Sequence, residues 1–480
     1  MNKKILFFLF IPFMGLSQTQ IGSDIVGEFQ TNEAGTSVSI SANGSIVAIG
    51  APRNIGGGNY SGNVRIFQNV SGVWSQLGNS IQGKSANDKF GTSVSLSSDG
   101  SIVAIGAPYN DDNGISYNGA VSVYKNVSGI WNKIGNDIID NVQDLSGVSV
   151  ALSSDGSVVA IGSSYGNDLG PAGNVSVYEN ISGNWSKIGN TLTGSSAGDM
   201  FGNSVAISDN GSIVAIGANT ADGNGLNSGS VSIYQNVSGN WVKIGADIYG
   251  EFAGDDFGTG VSLSADGSIV AVGAPENDGN GSYSGHVKIF KNISGSWTQI
   301  GADIEGEYAG DRSGLSVSLS SDGTILVIGN RAHLSYVRLY KYVSGNWIKL
   351  GNIGKYTSGY FGYSISLSSN GDVLAVGIPL SDANGTASGS VKVYNLVGLL
   401  SSDHFVLENF NIYPNPTSDV LNISLENDLI LKEVIIYNSL GQIVKKSNKT
   451  KIDVSSLSKG MYHAEVKTDK GKASKKIIIK

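Results

Sequence analysis

Residues Phe90–Pro108 read FGTSVSLSSDGSIVAIGAP, and this stretch decides the fold because it returns along most of the chain. Within it, Ser93–Leu96 alternates polar and apolar residues, which is the period of a half-buried β-strand. Asp99 and Gly100 favour a tight hairpin, since both residue types accept the positive φ that such turns require. Ile102–Gly106 is almost continuously apolar, as expected for a strand buried on both faces. The stretch therefore predicts a β-hairpin.

A second pair of strands completes the unit. Residues 119–135 read GAVSVYKNVSGIWNKIG, in which an alternating strand, a Ser-Gly turn and a strand carrying Trp131 follow one another. Four antiparallel strands in about 50 residues are typical of a propeller blade, whereas a linear β-solenoid usually has a shorter repeat. Equivalent units, spaced by 48 to 56 residues, begin at Thr36, Thr92, Val148, Asn203, Thr259, Leu315 and Tyr363.

The two ends of the array complement each other. The seventh unit stops at Asn395 and lacks the Trp strand, while Thr19–Glu28 matches Thr298–Glu307 of the fifth unit at eight of ten positions. The N-terminal segment is therefore predicted to be a displaced fourth strand of the last unit, which requires a ring and removes exposed sheet edges. The predicted fold is all-β: a seven-bladed β-propeller over residues 18–395, closed by an N-terminal strand, and then a small Ig-like β-sandwich.

The N-terminus has the pattern of a signal peptide, predicted over residues 1–17. Lys3 and Lys4 precede the apolar stretch Ile5–Met14, which is too short to span a bilayer, and the small residues Gly15 and Ser17 fit a cleavage site. No other segment approaches the roughly 20 apolar residues of a membrane span. The chain has no cysteine, which excludes disulfides and thiolate metal sites.

Residues 411–480 form a second pattern after a predicted linker over 396–410. Its motifs are Tyr-Pro-Asn-Pro-Thr at Tyr413–Thr417, Ile-Tyr-Asn-Ser-Leu-Gly at Ile436–Gly441, Leu-Ser-Lys-Gly-Met-Tyr at Leu457–Tyr462, and a lysine-ended apolar tail. These motifs closely resemble the type A C-terminal sorting domain of the type IX secretion system. The resemblance implies a Gram-negative source, the type IX machinery as a partner, and a secreted or outer-membrane-surface product. An ordinary Ig-like adhesive module is the alternative.

The repeat itself resembles the FG-GAP pattern of integrin α-chain propellers. Phe90-Gly91 with Gly106-Ala107-Pro108 carries the resemblance, and it extends over residues 19–400. It implies a seven-bladed propeller and favours adhesion or ligand binding. Calcium-binding members carry several acidic residues in the first hairpin, whereas Ser-Ser-Asp-Gly offers one carboxylate against the six to eight oxygens that calcium prefers. The resemblance therefore does not imply a calcium site in this hairpin.

The loops after the second strand of each unit hold the candidate site residues. They are rich in Asp and Asn, whose oxygens suit calcium, although these residue types with Gly also simply make turns, which is the interpretation we favour. The candidate calcium ligands are Asp111, Asp112, Asn113, Asp222, Asn224, Asp278, Asn280, Asp382 and Asn384. In the sixth unit this loop is nearly absent, which either opens a groove in the rim or reflects decay of the repeat.

Catalytic motifs are weak. Only two of the four histidines, His286 and His333, lie in the propeller region, and neither belongs to a nucleophile or metal motif. The carboxylates after the fourth strands fit the paired acids of glycoside hydrolases, but their recurrence with the repeat favours a solvated rim. They are Glu251, Glu305 and Glu307, beside Asp255 and Asp311.

Charge and architecture together favour recognition. Residues 18–400 carry 17 basic and 30 acidic residues, so a nucleic-acid partner is not expected. We predict a non-catalytic secreted or cell-surface protein that binds carbohydrate, matrix or protein ligands through its rim loops. The alternatives are a polysaccharide hydrolase or lyase, and a structural surface or matrix protein.

Overall fold

The computed structural model describes residues 19–111, 118–140, 145–164, 172–332, 335–356, 358–400, 406–407, 409–426, 429–469 and 471–480. The predicted signal peptide lies outside these residues. The chain divides into two compact units, one formed by Gln20–Asn395 and one that contains Leu396–Lys480. Both are built of strands, and no helix of the described part has the length and hydropathy needed to cross a bilayer.

The described strands of the first unit form seven antiparallel sheets. Two short strands precede them, β1 (Thr19–Gln20) and β2 (Ile25–Val26). The sheets are, in order: β3 (Ser37–Ile40), β4 (Ile46–Ala51), β5 (Asn63–Val70), β6 (Val73–Gln76) and β7 (Ile81–Gln82); β8 (Ser93–Leu96), β9 (Ile102–Ala107), β10 (Ala120–Val127) and β11 (Ile130–Lys133); β12 (Ser146–Leu152), β13 (Val158–Ser163), β14 (Asn174–Ile181), β15 (Asn184–Lys187) and β16 (Leu192–Thr193); β17 (Ser204–Ile207), β18 (Ile213–Ala218), β19 (Ser230–Val237), β20 (Asn240–Lys243) and β21 (Ile248–Tyr249); β22 (Gly260–Leu263), β23 (Ile269–Ala274), β24 (His286–Ile293), β25 (Ser296–Gln299) and β26 (Ile304–Glu305); β27 (Ser316–Leu319), β28 (Ile325–Gly329), β29 (Ser335–Val343) and β30 (Asn346–Tyr356); and β31 (Ile365–Leu367), β32 (Val373–Ile378) and β33 (Ser390–Asn395).

Neighbours in each sheet follow the chain, as the hairpin signals predict. The second strand is the most buried one, because it lies in the middle of its sheet and its apolar residues pack against sheets on both sides. The predicted fourth strand is divided in two: β6 ends at Gln76, the chain turns at Gly78 with φ of +76°, and β7 pairs with β5. Glycine is required there because φ is positive and a Cβ atom would overlap the carbonyl oxygen of Gly129 in the second sheet.

The glycines of the Phe-Gly and Gly-Ala-Pro elements lie where consecutive sheets touch. A Cβ atom on Gly106 would overlap the carbonyl oxygen of Gly147 in the next sheet, so the two backbones approach as closely as they do only without a side chain. The equivalent contacts are Gly50 with Gly91, Gly106 with Gly147, Gly162 with Gly202, Gly217 with Gly258, Gly273 with Gly314, Gly329 with Gly362, and Gly377 with Gly35. The last contact joins the seventh sheet to the first.

The turns between first and second strands form a circuit of backbone hydrogen bonds. Each turn donates an N–H to the carbonyl oxygen of the equivalent residue in the next sheet, at 2.8 to 3.0 Å. In the following series each residue donates its N–H to the carbonyl oxygen of the next one: Ala42, Ser98, Ser154, Asp209, Ala265, Ser321, Ser369 and again Ala42. The bond from Ser369 N–H to Ala42 O brings the circuit back to its first member.

The N-terminal segment pairs with the last unit. Ile25 lies opposite Val391 and Val26 opposite Ser390, while β1 also pairs with β33. Trp74 Nε1 donates to Ile21 O at 2.8 Å, as each later Trp does to the fourth strand of the sheet before its own. Thr19–Glu28 thus occupies the position that the seventh unit lacks.

The second unit has two antiparallel sheets among its described residues. One has the order β34 (Phe410–Tyr413), β35 (Val420–Leu425) and β38 (Lys451–Asp453); the other has the order β37 (Ile443–Ser447), β36 (Leu431–Tyr437), β39 (Gly460–Thr468) and β40 (Gly471–Ile479). Alternate residues such as Leu421, Ile423, Val466 and Ile477 are buried. In the predicted linker, a single helical turn, α1 (Val397–Leu400), has Leu399 buried.

Candidate ligand-binding rim and buried polar cluster

Two kinds of loop meet at one end of each sheet. We call the loop between second and third strands a rim loop, and the loop from one sheet to the next a crossover loop. In the fifth sheet the rim loop is 275–285, preceded by crossover loop 250–259 and followed by crossover loop 306–315. The two kinds are hydrogen-bonded together, for example from Gly254 N–H to Leu226 O and from Gly310 N–H to Ser282 O. These bonds give the loops fixed positions.

The aspartates predicted as calcium ligands stabilise their own rim loops. Asp278 Oδ1 accepts the N–H of Tyr283 at 2.7 Å, and Tyr283 has a φ of +54°. Asp222 and Asp382 make the equivalent bonds, at 2.8 Å, to Asn227 and Ala387, which also have positive φ. Each carboxylate thus supports a backbone conformation that is unfavourable for a residue with a side chain.

The predicted asparagines attach the rim loops to the start of the following crossover loops. Asn224 Nδ2 donates to Gly250 O, Asn280 Nδ2 to Gly306 O and Asn384 Nδ2 to Gly27 O, at 2.7 to 2.9 Å. Asp111 is exposed, and Asp112 and Asn113 lie outside the described residues. The described side chains are therefore used as loop-forming groups, and calcium binding by these residues stays a prediction.

The sequence predicts that the carboxylates considered for hydrolysis form a solvated rim, and this prediction is wrong for Asp255 and Asp311, whereas Glu251 is exposed. Asp255 and Asp311 are each only 3% exposed, because they accept backbone N–H groups of their own crossover loops. Asp255 also accepts Asn277 Nδ2 at 3.0 Å. Glu251 and Glu307 form ion pairs with lysines of the adjoining sheets, Lys288 and Lys349.

Glu305 belongs to a buried polar cluster in the fifth sheet. It pairs across the strands with His286, and ligand atoms of His286, Asp303 and Glu305 lie within 4.8 Å of one another. Burial and the Lys288 cation lower the pKa of His286, so its imidazole is neutral at neutral pH. Burial and the Asp303 carboxylate raise the pKa of Glu305.

Exposed aromatic side chains project from the loops of the same part of the protein. Phe252 and Tyr308 occupy one repeat position in successive crossover loops and are each 65% exposed, while Tyr283 of the rim loop is 50% exposed. Phe252 and Tyr283 line a depression of about 540 Å³ together with Glu276 and Asp278. Arg312 is ion-paired with Glu276 and lies 5.5 Å from the Tyr283 ring centre.

Neither of these last two arrangements was identified from the sequence. For the aromatic residues the repeat alignment gives little signal, because Phe29 and Tyr60 occupy the positions of Phe252 and Tyr283 in the first unit. His286 and Glu305 fall on positions that are Asn63 and Gln82 in the first sheet.

Comparison with protein families agrees with the motifs. The FG-GAP repeat model matches residues 82–124, 191–234 and 251–290, and the model of the secretion system C-terminal sorting domain matches residues 411–480. The chain is an FG-GAP repeat protein with a type IX sorting domain. Each of the three matched FG-GAP repeats contains Phe-Gly, at Phe90, Phe201 and Phe257.

Similarity to individual proteins is limited. Beta-agarase D of Zobellia galactanivorans is 39% identical to this chain over 74 residues. The match covers 15% of this chain and only 15% of that relative's length. A solved structure from Bacteroides uniformis, assigned as a 6-phosphogluconolactonase, matches over 82% of this chain and 92% of its own, with 15% identity and a TM-score of 0.49. With this TM-score, the similarity supports no conclusion about the fold or function of this chain.

The first hairpin holds an aspartate in an Asx turn in four of the seven sheets. Asp99 Oδ1 accepts Ser97 Oγ at 2.7 Å and the N–H of Ser101 at 2.9 Å. Burial raises the pKa of Asp99, but these hydrogen bonds outweigh it and leave the pKa below the ordinary value. The same holds for Asp155, Asp266 and Asp322. The hairpin aspartate is thus a turn-forming residue.

Acid is expected to destabilise the FG-GAP unit through these four aspartates. Their hydrogen bonds contribute fully above the unfolded pKa of 3.8 and are lost as the pH falls through the lowered folded values. Urea unfolding at a series of pH values from about 5 downward should therefore show a falling free energy of unfolding.

The variant D99N/D155N/D266N/D322N is the matched comparison. It should still fold, because Asn43, Asn210 and Asn370 occupy the same position in the other three sheets. It should lose less stability in acid than the wild type. Equal losses in the two proteins would show that the hairpin aspartates do not carry the effect.

Proposed function

We propose that Gln20–Asn395 is a closed seven-bladed β-propeller. Two repeated contacts support this, the glycine contacts and the turn hydrogen bonds, because each joins the seventh sheet to the first as it joins the other neighbours. The pairing of Thr19–Glu28 with the last sheet is the third support. In a propeller, the rim loops and the crossover loops all reach the same face. Together they form a composite binding surface there.

We further propose that this protein is a secreted or cell-surface binding protein whose ligand is a carbohydrate. The observation that carries the proposal is the pair of exposed aromatic residues Phe252 and Tyr283, which line one depression together with the carboxylates Glu276 and Asp278. Aromatic faces bury apolar area at little conformational cost and bind best where polar groups fix the orientation of the ligand. The carbon-bound hydrogens of a sugar ring offer such a face, and its hydroxyl groups suit Glu276 and Asp278 as acceptors.

The first sheet provides a natural comparison within the chain. Phe29 and Tyr60 occupy the repeat positions of Phe252 and Tyr283, and they are 54% and 37% exposed. The positions of Glu276 and Asp278 are instead Arg53 and Ile55. Aromatic residues are therefore present in both places, whereas hydroxyl-accepting carboxylates are present only at the fifth sheet.

Binding without catalysis is the activity that we propose. The carboxylates weighed for hydrolysis have other partners: lysines for Glu251 and Glu307, and backbone N–H groups for Asp255 and Asp311. The agarase similarity covers 74 residues, which is at most a fifth of the 376-residue propeller unit. Agarose cleavage by this chain therefore has no support from that match.

The sorting domain gives the location in which the ligand is met. Its presence indicates secretion, with release into the medium or attachment to the cell surface. In either place an extracellular polysaccharide is an available partner, which agrees with a rim built for sugar rings.

A polysaccharide panel tests the proposed binding. Wild-type protein should bind at least one glycan, and F252A/Y283A should weaken binding at least tenfold, because truncating each aromatic anchor costs about 1 to 2 kcal/mol. The control F29A/Y60A should bind as the wild type does. Equal effects of the two variants would refute the assignment to this rim, and reducing ends released over time would refute binding without catalysis.

Removal of residues 411–480 tests the sorting assignment in the producing bacterium. The truncated protein should accumulate, folded, in the periplasm, since the signal that the secretion machinery reads is absent. Immunoblots of periplasmic, surface and medium fractions measure this, with the full-length chain as the control. Normal export of the truncated protein would discard the assignment.

A further inference from the structure

The cluster of His286, Asp303 and Glu305 contains polar atoms without partners. His286 Nε2 and Glu305 Oε2 are both buried, and neither atom takes part in a hydrogen bond. The His286 residue is only 1% exposed. Leaving such buried atoms unsatisfied is unfavourable, so a group that binds both is favoured. Ligand atoms of the three residues lie within 4.8 Å of one another, which leaves room for one ion between them.

The chemistry of the donors indicates the class of ion. One imidazole and two carboxylates form a three-ligand set of the kind that holds zinc with a fourth position open. Calcium prefers oxygen ligands alone, whereas imidazole suits first-row transition metals. The donor set therefore favours a zinc-like ion over calcium.

The charges around the cluster are also suited to a dication. Lys288 is ion-paired with both Glu251 and Asp303, the latter at 3.1 Å. Three carboxylates, Glu251, Asp303 and Glu305, therefore surround one lysine, so acidic groups outnumber basic ones at the cluster. The side chain of Asp303 is 28% exposed, which gives an ion a path from solvent.

The cluster departs from the repeat at the positions that matter. The cross-strand pair His286–Glu305 corresponds to Asn63–Gln82 in the first sheet, Asn174–Thr193 in the third and Ser230–Tyr249 in the fourth. In those three sheets the pair consists of neutral polar or aromatic side chains, whereas the fifth sheet carries a histidine and a carboxylate. Packing of the repeat does not require that combination.

We propose that His286 Nε2, Asp303 and Glu305 bind one divalent transition-metal ion of the zinc class. The ion lies beneath the rim loop of the fifth sheet, because Gly279 of that loop packs directly over Glu305 Oε2. It connects β24 and β26 below the depression at Phe252 and Tyr283. The site does not depend on the proposed glycan binding, since its residues are separate from the aromatic rim.

Titration of chelator-treated full-length protein with Zn²⁺ tests the site. The wild type should bind one equivalent and melt at a temperature several degrees higher with zinc than without it. The variant H286N/E305Q reproduces the Asn63–Gln82 pair of the first sheet and should therefore fold. It should lose at least tenfold in zinc affinity together with the thermal shift.

Controls separate this site from other zinc-binding groups. H463N removes a histidine of the second unit and should bind zinc as the wild type does. Equal zinc affinity of H286N/E305Q and the wild type would overturn the proposal. Equal stabilisation by Ca²⁺ through the same residues would overturn the ion class. The wild-type titration decides independently of any variant, because absence of saturable zinc binding refutes the site outright.

Discussion

The contact between glycine backbones of consecutive sheets is the constraint on which the rest depends. At Gly106 and Gly147 a single Cβ atom would hold the two sheets apart, and the seven equivalent contacts recur wherever one sheet meets the next. That approach brings the turns close enough for the circuit of N–H to carbonyl bonds from Ala42 to Ser369 and back. The Phe-Gly and Gly-Ala-Pro elements are therefore the two sides of one contact.

Much of the scaffold could be predicted from the sequence, because the same pattern of residues occurs in seven units. Alternation, turn residues and the Trp position gave the strands, and the displaced match of Thr19–Glu28 gave the pairing with β33. The turn at Gly78 that divides the fourth strand was not predicted, since the close approach of Gly129 O belongs to another sheet and is not visible in the local sequence. The burial of Asp255 and Asp311 was missed for a similar reason: it follows from how each crossover loop folds back on its own carboxylate.

Candidate functional residues lie where the repeat is broken. The repeated Asp and Asn of the rim loops attracted attention as ligands, yet their shared bonds to positive-φ residues and crossover carbonyls give them a common structural role. His286 and Glu305 occupy positions that vary between sheets, and the aromatic pair Phe252 and Tyr283 differs from its counterpart Phe29 and Tyr60 in the neighbouring carboxylates. A repeat protein conserves its scaffold through recurrence, so the exceptions are the better guide to recognition.

Ring closure by the N-terminal segment is tested most directly with an engineered disulfide. Val26 lies opposite Ser390, next to a hydrogen-bonded pair, and the chain has no native cysteine to interfere. V26C/S390C should form the disulfide in air and melt at a higher temperature than its reduced form. V26C/S230C, with the second cysteine at the same repeat position of the fourth sheet, should not form it. Two free, reactive thiols in folded V26C/S390C would contradict the closed propeller.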